Sequence, residues 1–153
     1  MLKSFSFVEL LVIMAIITTL IMISSISLFP LQQKVSLSTT IQSLISDIKQ
    51  QQVKSMNGES YQGIYFSEGQ NNYVLFSGAT YSAINTTNFT INLGDQITVN
   101  SIDFAGRQII FLPGSGEIEG FITANNTIVL TNTVSGEVKT VSFNKFGIIT
   151  NVQ

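Results

Sequence analysis

The sequence predicts an α+β fold in which a long N-terminal helix, first transmembrane and then amphipathic, precedes an antiparallel β-sandwich headgroup. Residues 5–29 are almost entirely apolar, and residues 30–56 carry apolar side chains at intervals of three and four. From residue 57 onward, short segments of alternating apolar and polar residues follow one another between turn residues. The chain of 153 residues therefore divides into one helix and one small domain.

The apolar run at residues 5–29 has the length that a helix needs to cross a bilayer, about 20 residues. Its only charged residue is Glu9. An ionised carboxylate costs about 2.5–3.5 kcal/mol at the centre of a membrane-spanning helix. Glu9 therefore needs either a positively charged partner, for which another chain is the best source, or a position near the interface where it reaches water.

Residues 30–56 continue the helix as an amphipathic segment. Pro30 could end or kink the helix, and Asn57 with Gly58 supplies a stop signal. One face of this segment is apolar and is expected to pack on the β-rich domain. Its members are Leu37, Ile41, Leu44, Ile45, Ile48 and Val53.

Residues 57–153 are predicted to form the globular headgroup. Turn residues separate short candidate strands, and residues 68–72 are typical of a hairpin loop. Strands of this length and spacing indicate an antiparallel sandwich or a pair of sheets. The candidate strands are residues 61–66, 73–76, 89–93, 97–104, 108–112, 120–122, 127–130, 137–143 and 148–152.

The composition argues against catalysis. The chain contains no cysteine, histidine or tryptophan, so it lacks the commonest general base and the thiol nucleophile. We expect no enzyme activity and no cofactor. Glu117 and Glu119 could hold a hard cation together with Asp95 or Asp103. A solvated strand edge accounts for these carboxylates better, and no metal site is predicted.

The charge of residues 57–153 argues against nucleic acid as a partner. Binding to phosphates requires clustered positive charge, and acidic residues outnumber basic ones here. Arg107, Lys139 and Lys145 could still cluster on one surface. The acidic residues are Glu59, Glu68, Asp95, Asp103, Glu117, Glu119 and Glu137.

The first residues read MLKSFSFVELLV, a short basic start followed by an apolar run that contains a carboxylate. A secretory signal has instead about 7–15 apolar residues and a small-residue cleavage site after them. The pattern resembles the class III leader of type IV pilins and type II secretion pseudopilins. Aligned on Glu9, the cut falls between Ser4 and Phe5. Ser4 and Ser6 stand where that family usually has glycine and threonine.

This resemblance implies roles for several residues. Prepilin peptidase would remove residues 1–4 and methylate Phe5. Glu9 would pair with the new ammonium of its own or a neighbouring chain, which also sets the stagger between subunits. The implied domains are a prepilin leader at 1–4, a transmembrane helix at 5–29, its amphipathic continuation at 30–56 and a β-rich headgroup at 57–153.

The resemblance also implies partners and a location. The partners would be other pilin or pseudopilin subunits, prepilin peptidase, an inner-membrane assembly platform and membrane lipid. The chain would cross the inner (cytoplasmic) membrane of a bacterium once, with its headgroup on the periplasmic or extracellular side. It would then be assembled into a pilus or pseudopilus.

Two C-terminal segments resemble the GspH/FimT-type minor pseudopilins. Residues 109–116, IIFLPGSG, are similar to their phenylalanine-x-proline-x-glycine region, and residues 140–148, TVSFNKFGI, to their closing hairpin. Ordinary β-turns are the alternative interpretation. We therefore predict a minor pilin or pseudopilin of a type II secretion pseudopilus or type IV pilus. The alternatives are a DNA-uptake (competence) minor pilin and an uncleaved, signal-anchored envelope β-domain.

Overall fold

A single long helix begins the fold. The computed structural model describes residues 6–153, except for the side chains of residues 23–36. Helix α1 spans Phe7–Met56, which is 50 residues, and so continues past Pro30. It ends at Asn57, and Gly58 follows in a left-handed conformation with φ of 83°. Glycine adopts this conformation without strain, and the predicted stop signal is confirmed.

The predicted transmembrane segment is wrong. A membrane span needs about 20 consecutive, predominantly apolar residues. In the part of the chain that the structure describes, no helix combines the length and the apolarity to cross a membrane. This finding overturns the transmembrane assignment of residues 5–29 and, with it, the predicted single-pass location in the inner membrane.

Eight strands in two four-stranded sheets follow α1. The first sheet has the order β3-β2-β1-β5 and the second the order β4-β6-β7-β8, with antiparallel neighbours throughout. A short 3₁₀ helix, Ala105–Arg107, precedes β5. The strands are β1 (Gln62–Phe66), β2 (Asn72–Ser77), β3 (Phe89–Asn92), β4 (Ile97–Ile102), β5 (Gln108–Phe111), β6 (Thr127–Asn132), β7 (Val138–Phe143) and β8 (Ile149–Val152).

The predicted fold class is corrected accordingly. The described residues form two helices, α1 and the 3₁₀ turn, and two antiparallel sheets, without a transmembrane helix. The hairpin predicted around residues 68–72 is present, since β1 and β2 pair from Gln62↔Ser77 to Phe66↔Tyr73. The strand predicted at residues 120–122 is absent. Ile122 forms only an isolated bridge with Asn125.

The amphipathic face of α1 completes the core of the headgroup. Leu37, Ile41, Leu44 and Ile48 recur at intervals of four, three and four, and all are buried. They belong to one hydrophobic cluster with inward-facing residues of both sheets. Val53, the last member of the predicted face, is exposed. The buried part of the predicted apolar face therefore ends at Ile48.

The outer face of the first sheet is covered by the loop that joins β2 to β3. Tyr81 in this loop stacks on Tyr65, with ring centroids 4.0 Å apart, and meets Phe76 edge-on at 5.7 Å. Gly63 of β1 lies beneath these rings, where a Cβ atom would come within 2.9 Å of the Ile109 carbonyl oxygen. This aromatic layer holds the loop against the outer face of the first sheet.

Candidate functional site

The N-terminal part of α1, residues 7–22, exposes apolar side chains all round the helix. We call it the apolar segment. A helix that is apolar on every side is normally covered in the working state of a protein, and large exposed apolar patches mark interaction surfaces. Its exposed large side chains are Phe7, Val8, Leu10, Leu11, Val12, Ile13, Met14, Ile16, Ile17, Leu20, Ile21 and Met22.

The two threonines of the apolar segment satisfy their hydroxyls within the helix. Thr18 donates a hydrogen bond to the Met14 carbonyl, and Thr19 donates to the Ile16 carbonyl at 2.8 Å. Such bonds to the preceding turn leave the hydroxyl without need of water. Both threonines can therefore be covered by an apolar partner without losing a hydrogen bond.

Glu9 has a local partner at the start of α1. Its Oε2 atom accepts a hydrogen bond from the Ser6 backbone N–H at 3.2 Å. Ser6 is the N-cap residue, and a carboxylate in the first turn interacts favourably with the positive end of the helix dipole. This contact was not predicted, although Ser6 and Glu9 form the Ser-x-x-Glu pattern of a capping box, which is its signal in the sequence. The second carboxylate oxygen can accept from a further donor.

The predicted cleavage position, between Ser4 and Phe5, and the predicted methylation at Phe5 lie outside the described residues. Phe5 directly precedes Ser6 in the sequence, and the Ser6 N–H is the group that Glu9 contacts. The role of Glu9 towards an ammonium on Phe5 therefore stays a prediction.

The last turns of α1 are fastened to the headgroup by Ser55. This serine is fully buried, and its hydroxyl donates to the Leu112 carbonyl at 2.5 Å. In return, the Gly114 N–H donates to the Ser55 carbonyl at 2.8 Å. The segment after β5 is thereby bonded to the helix by both its carbonyl and its amide groups.

Gln52 joins two separate turns to the same end of α1. Its side-chain amide donates to the carbonyls of Gly116 at 2.8 Å and Phe146 at 2.6 Å. Gly147 in the second turn has a left-handed φ of 66°, and a Cβ atom there would lie 2.9 Å from the Phe111 ring, so the position favours glycine. The two segments singled out in the sequence, 109–116 and 140–148, thus meet at Gln52. We call the contacts of Gln52 and Ser55 the helix clamp.

The acidic residues considered for a cation do not come together. Glu117 pairs with Lys145 at 2.9 Å, and Asp103 accepts a hydrogen bond from the Thr127 hydroxyl. Within residues 6–153, as far as their side chains are described, no three histidine, cysteine, aspartate or glutamate residues are placed to hold a metal ion.

Two of the basic residues considered for DNA are balanced by acids. Arg107 lies 3.7 Å from Glu68, and Lys145 lies 2.9 Å from Glu117. Both pairs are partly exposed, so each contributes little to stability. They nevertheless reduce the local positive potential that phosphate binding needs.

Tyr73 links β2 to α1 by a polar contact inside the apolar interface. The ring is buried, and its hydroxyl donates a hydrogen bond to the Asp47 carboxylate. Burial, followed by this hydrogen bond and the charge of Asp47, raises the pKa of Tyr73 well above its usual range. The hydroxyl therefore stays protonated and keeps its bond across the physiological pH range.

Comparison of the chain with protein-family models, with curated proteins and with solved structures finds no match in any of the three. Nothing in these comparisons identifies a pilin or pseudopilin family.

Proposed function

We propose that this chain is a non-enzymatic filament subunit, a minor pilin or pseudopilin of a type II secretion pseudopilus or a type IV pilus. The observation that carries the proposal is the apolar segment of α1, which projects exposed apolar side chains in all directions. A bundle of equivalent helices from neighbouring copies can cover such a surface on every side. A headgroup fixed to one end of the helix then lies at the outside of the bundle.

The energetics favour this arrangement. Burying one large aliphatic or aromatic side chain contributes about 1.5–3 kcal/mol relative to leaving it in water. The apolar segment offers many such side chains, and the internal bonds of Thr18 and Thr19 remove the cost of covering their hydroxyls. This apolar burial is the term that must offset the entropy lost on assembly.

Glu9 supplies the specificity that apolar contacts lack. In the proposed filament, cleavage after Ser4 leaves an ammonium on Phe5, and the Glu9 carboxylate pairs with it. A carboxylate buried without a positive partner is strongly unfavourable, whereas a paired one is tolerated. The pair forms only when the two chains have the correct axial offset, so it selects one stagger among many apolar alternatives.

The helix clamp supports the same role. A filament subunit must present its headgroup at a fixed angle to the helix, since neighbouring headgroups repeat along the filament. Ser55 and Gln52 hold two headgroup turns, residues 112–116 and 144–147, to the final turns of α1. The helix and the headgroup are thereby coupled at the point where α1 ends.

Mass spectrometry of the N-terminus tests the proposed processing. The full chain is expressed together with a prepilin peptidase and purified in mild detergent. We expect a chain that lacks residues 1–4 and carries one methyl group on Phe5. The matched control is Ser4→Leu, which puts a bulky residue before the cut and should stay unprocessed. An intact Met1 on the wild-type chain would contradict the proposal.

A further inference from the structure

A groove of about 380 Å³ separates α1 from the edge of the first sheet. Leu75 of β2 and Phe89 and Ile91 of β3 form its apolar floor, and Asp47 and Gln51 of α1 line the opposite wall. Phe89 is 65% exposed although it lies on the face of the sheet that packs against the helix. The groove therefore holds apolar surface that nothing in the described part of the chain covers.

Gln51 places an unsatisfied acceptor in this groove. Its side chain is only 3% exposed, and its Oε1 atom has no hydrogen-bond donor among the described residues. A buried acceptor left without a donor is unfavourable by about 1–3 kcal/mol. A ligand that brings an N–H or ammonium group to this point would remove that penalty.

Strand β3 presents an open hydrogen-bonding edge beside the groove. It is an outer strand of the first sheet, and among the described residues it pairs only with β2. The Leu93 N–H donates to the carbonyl of Asn71, the residue opposite it, at 2.7 Å. Because hydrogen-bonded pairs recur at every second residue of an antiparallel ladder, the odd-numbered residues of β3 are the ones whose backbone groups bond with β2. The alternation of antiparallel pairing then directs the backbone groups of Thr90 and Asn92 away from β2, towards the free edge.

The charge of the groove favours a positively charged occupant. Asp47 and Glu59 contribute carboxylates to its lining, and Lys54 contributes the single basic group. The exposed ring of Phe89 adds an aromatic face, on which the stem and head of a lysine or arginine side chain can rest.

We propose that the free edge of β3 binds an extended segment of a partner protein, which adds a strand to the first sheet and places a basic side chain in the groove. The added backbone bonds with Thr90 and Asn92, and the basic side chain donates to Gln51 and lies between the two carboxylates. Strand addition of this kind takes its affinity from main-chain bonds and its specificity from side-chain pockets. Since β3 has only four residues, the affinity is modest. The proposal does not depend on the function proposed above.

The test uses short synthetic peptides and the full, isotope-labelled chain held monomeric in mild detergent. One peptide alternates valine and threonine around a central lysine, and a second has glutamate in place of the lysine. We expect the lysine peptide to shift the NMR signals of the Thr90 and Asn92 amides and of the Gln51 side chain. The glutamate peptide should bind roughly tenfold more weakly.

Matched variants locate the binding. Thr90→Pro removes an outward N–H without touching the ladder to β2 and should abolish the shifts of the Asn92 amide and the Gln51 side chain. Val152→Pro makes the same change on the edge strand β8, where the Thr140–Gln153 pair directs the Val152 N–H outward. It should leave peptide binding unchanged. Glu59→Gln, at an exposed position, should weaken the lysine peptide several-fold and leave the fold intact.

Three results would overturn the proposal. The first is the absence of shifts at Thr90 and Asn92 with peptide at about 1 mM. The second is that the lysine and glutamate peptides bind equally well, or that the lysine peptide binds the Glu59→Gln variant as tightly as the wild-type chain. The third is that the β3 signals move with protein concentration alone, because the occupant would then be a second copy of the chain. The proposal is supported if Thr90→Pro loses the peptide-induced shifts and Val152→Pro binds the lysine peptide as the wild-type chain does.

Discussion

Replacing Glu9 by glutamine is expected to abolish filament assembly while the headgroup stays folded. Glutamine is nearly isosteric with glutamate and still accepts a hydrogen bond from the Ser6 N–H. It cannot form an ion pair, so in the assembled bundle the ammonium on Phe5 would lose its counter-charge. Removing one partner of a buried ion pair costs about 3–5 kcal/mol, which corresponds to roughly a hundredfold or more in association.

The comparison with Glu9→Ala separates the two roles of this residue. If the carboxylate acts mainly as the capping partner of Ser6, glutamine restores assembly and alanine does not. If the charge matters, both variants fail to the same degree. The measurement is the amount of each variant in sheared filaments relative to total chain. Glu119→Gln, which removes an exposed carboxylate of the headgroup, serves as the control and should assemble normally. Normal incorporation of Glu9→Gln would refute the charge-pairing role.

Replacing Leu44 by alanine is expected to destabilise the headgroup strongly. Leu44 has 0% exposure and packs in the cluster that α1 shares with both sheets. Truncating a buried leucine to alanine lowers the free energy of unfolding by about 2–5 kcal/mol, since a cavity remains. For a domain of this size, the thermal midpoint should fall by about 10 °C or more. Circular dichroism in the β-sheet region, recorded for the monomeric chain, measures the change.

The matched control is the same substitution at the other end of the same helix. Leu11 lies in the apolar segment and is 57% exposed. Leu11→Ala should leave the thermal midpoint of the monomer nearly unchanged and weaken assembly. Equal loss of stability in both variants would contradict the division of α1 into a headgroup-packing part and an assembly part.

The local elements were predictable because their periodicity reflects burial. The spacing of Leu37, Ile41, Leu44 and Ile48 placed them on one helical face, and the structure buries all four. The loop between β1 and β2 was predictable from its turn residues. The strand at residues 120–122 was not, because Gly120 adopts a left-handed φ of 60° that interrupts an extended chain.

The transmembrane assignment was wrong for a different reason. An apolar run indicates that a helix is covered, but it does not tell lipid from other protein as the cover. The assignment also assumed a sufficient apolar length, and the described residues contain no helix that meets this requirement. The sequence identifies an apolar run at the start of the helix, and the structure shows that its side chains from Phe7 to Met22 are exposed.

The helix clamp and the groove were beyond sequence reasoning because both depend on distant contacts. Gln52 bonds with residues 64 and 94 positions away, and nothing in its neighbourhood distinguishes it from Gln50 or Gln51. Gln51 likewise resembles an ordinary surface glutamine until the fold buries it. The sequence periodicity of a helix indicates which apolar residues are buried, but it does not indicate which distant group a polar side chain will bond with after folding.

The central claim is that copies of this chain associate through the apolar segment of α1, and crosslinking tests it most directly. The chain has no cysteine, so single introduced cysteines report without interference. We place one at Ile13 in the apolar segment and, as a control, one at the exposed Ser135 of the headgroup. With a short thiol crosslinker, assembled Ile13→Cys should give covalent dimers and higher species, and Ser135→Cys far fewer. Assembled Ile13→Cys that stays monomeric and reacts freely with a water-soluble maleimide would contradict the claim.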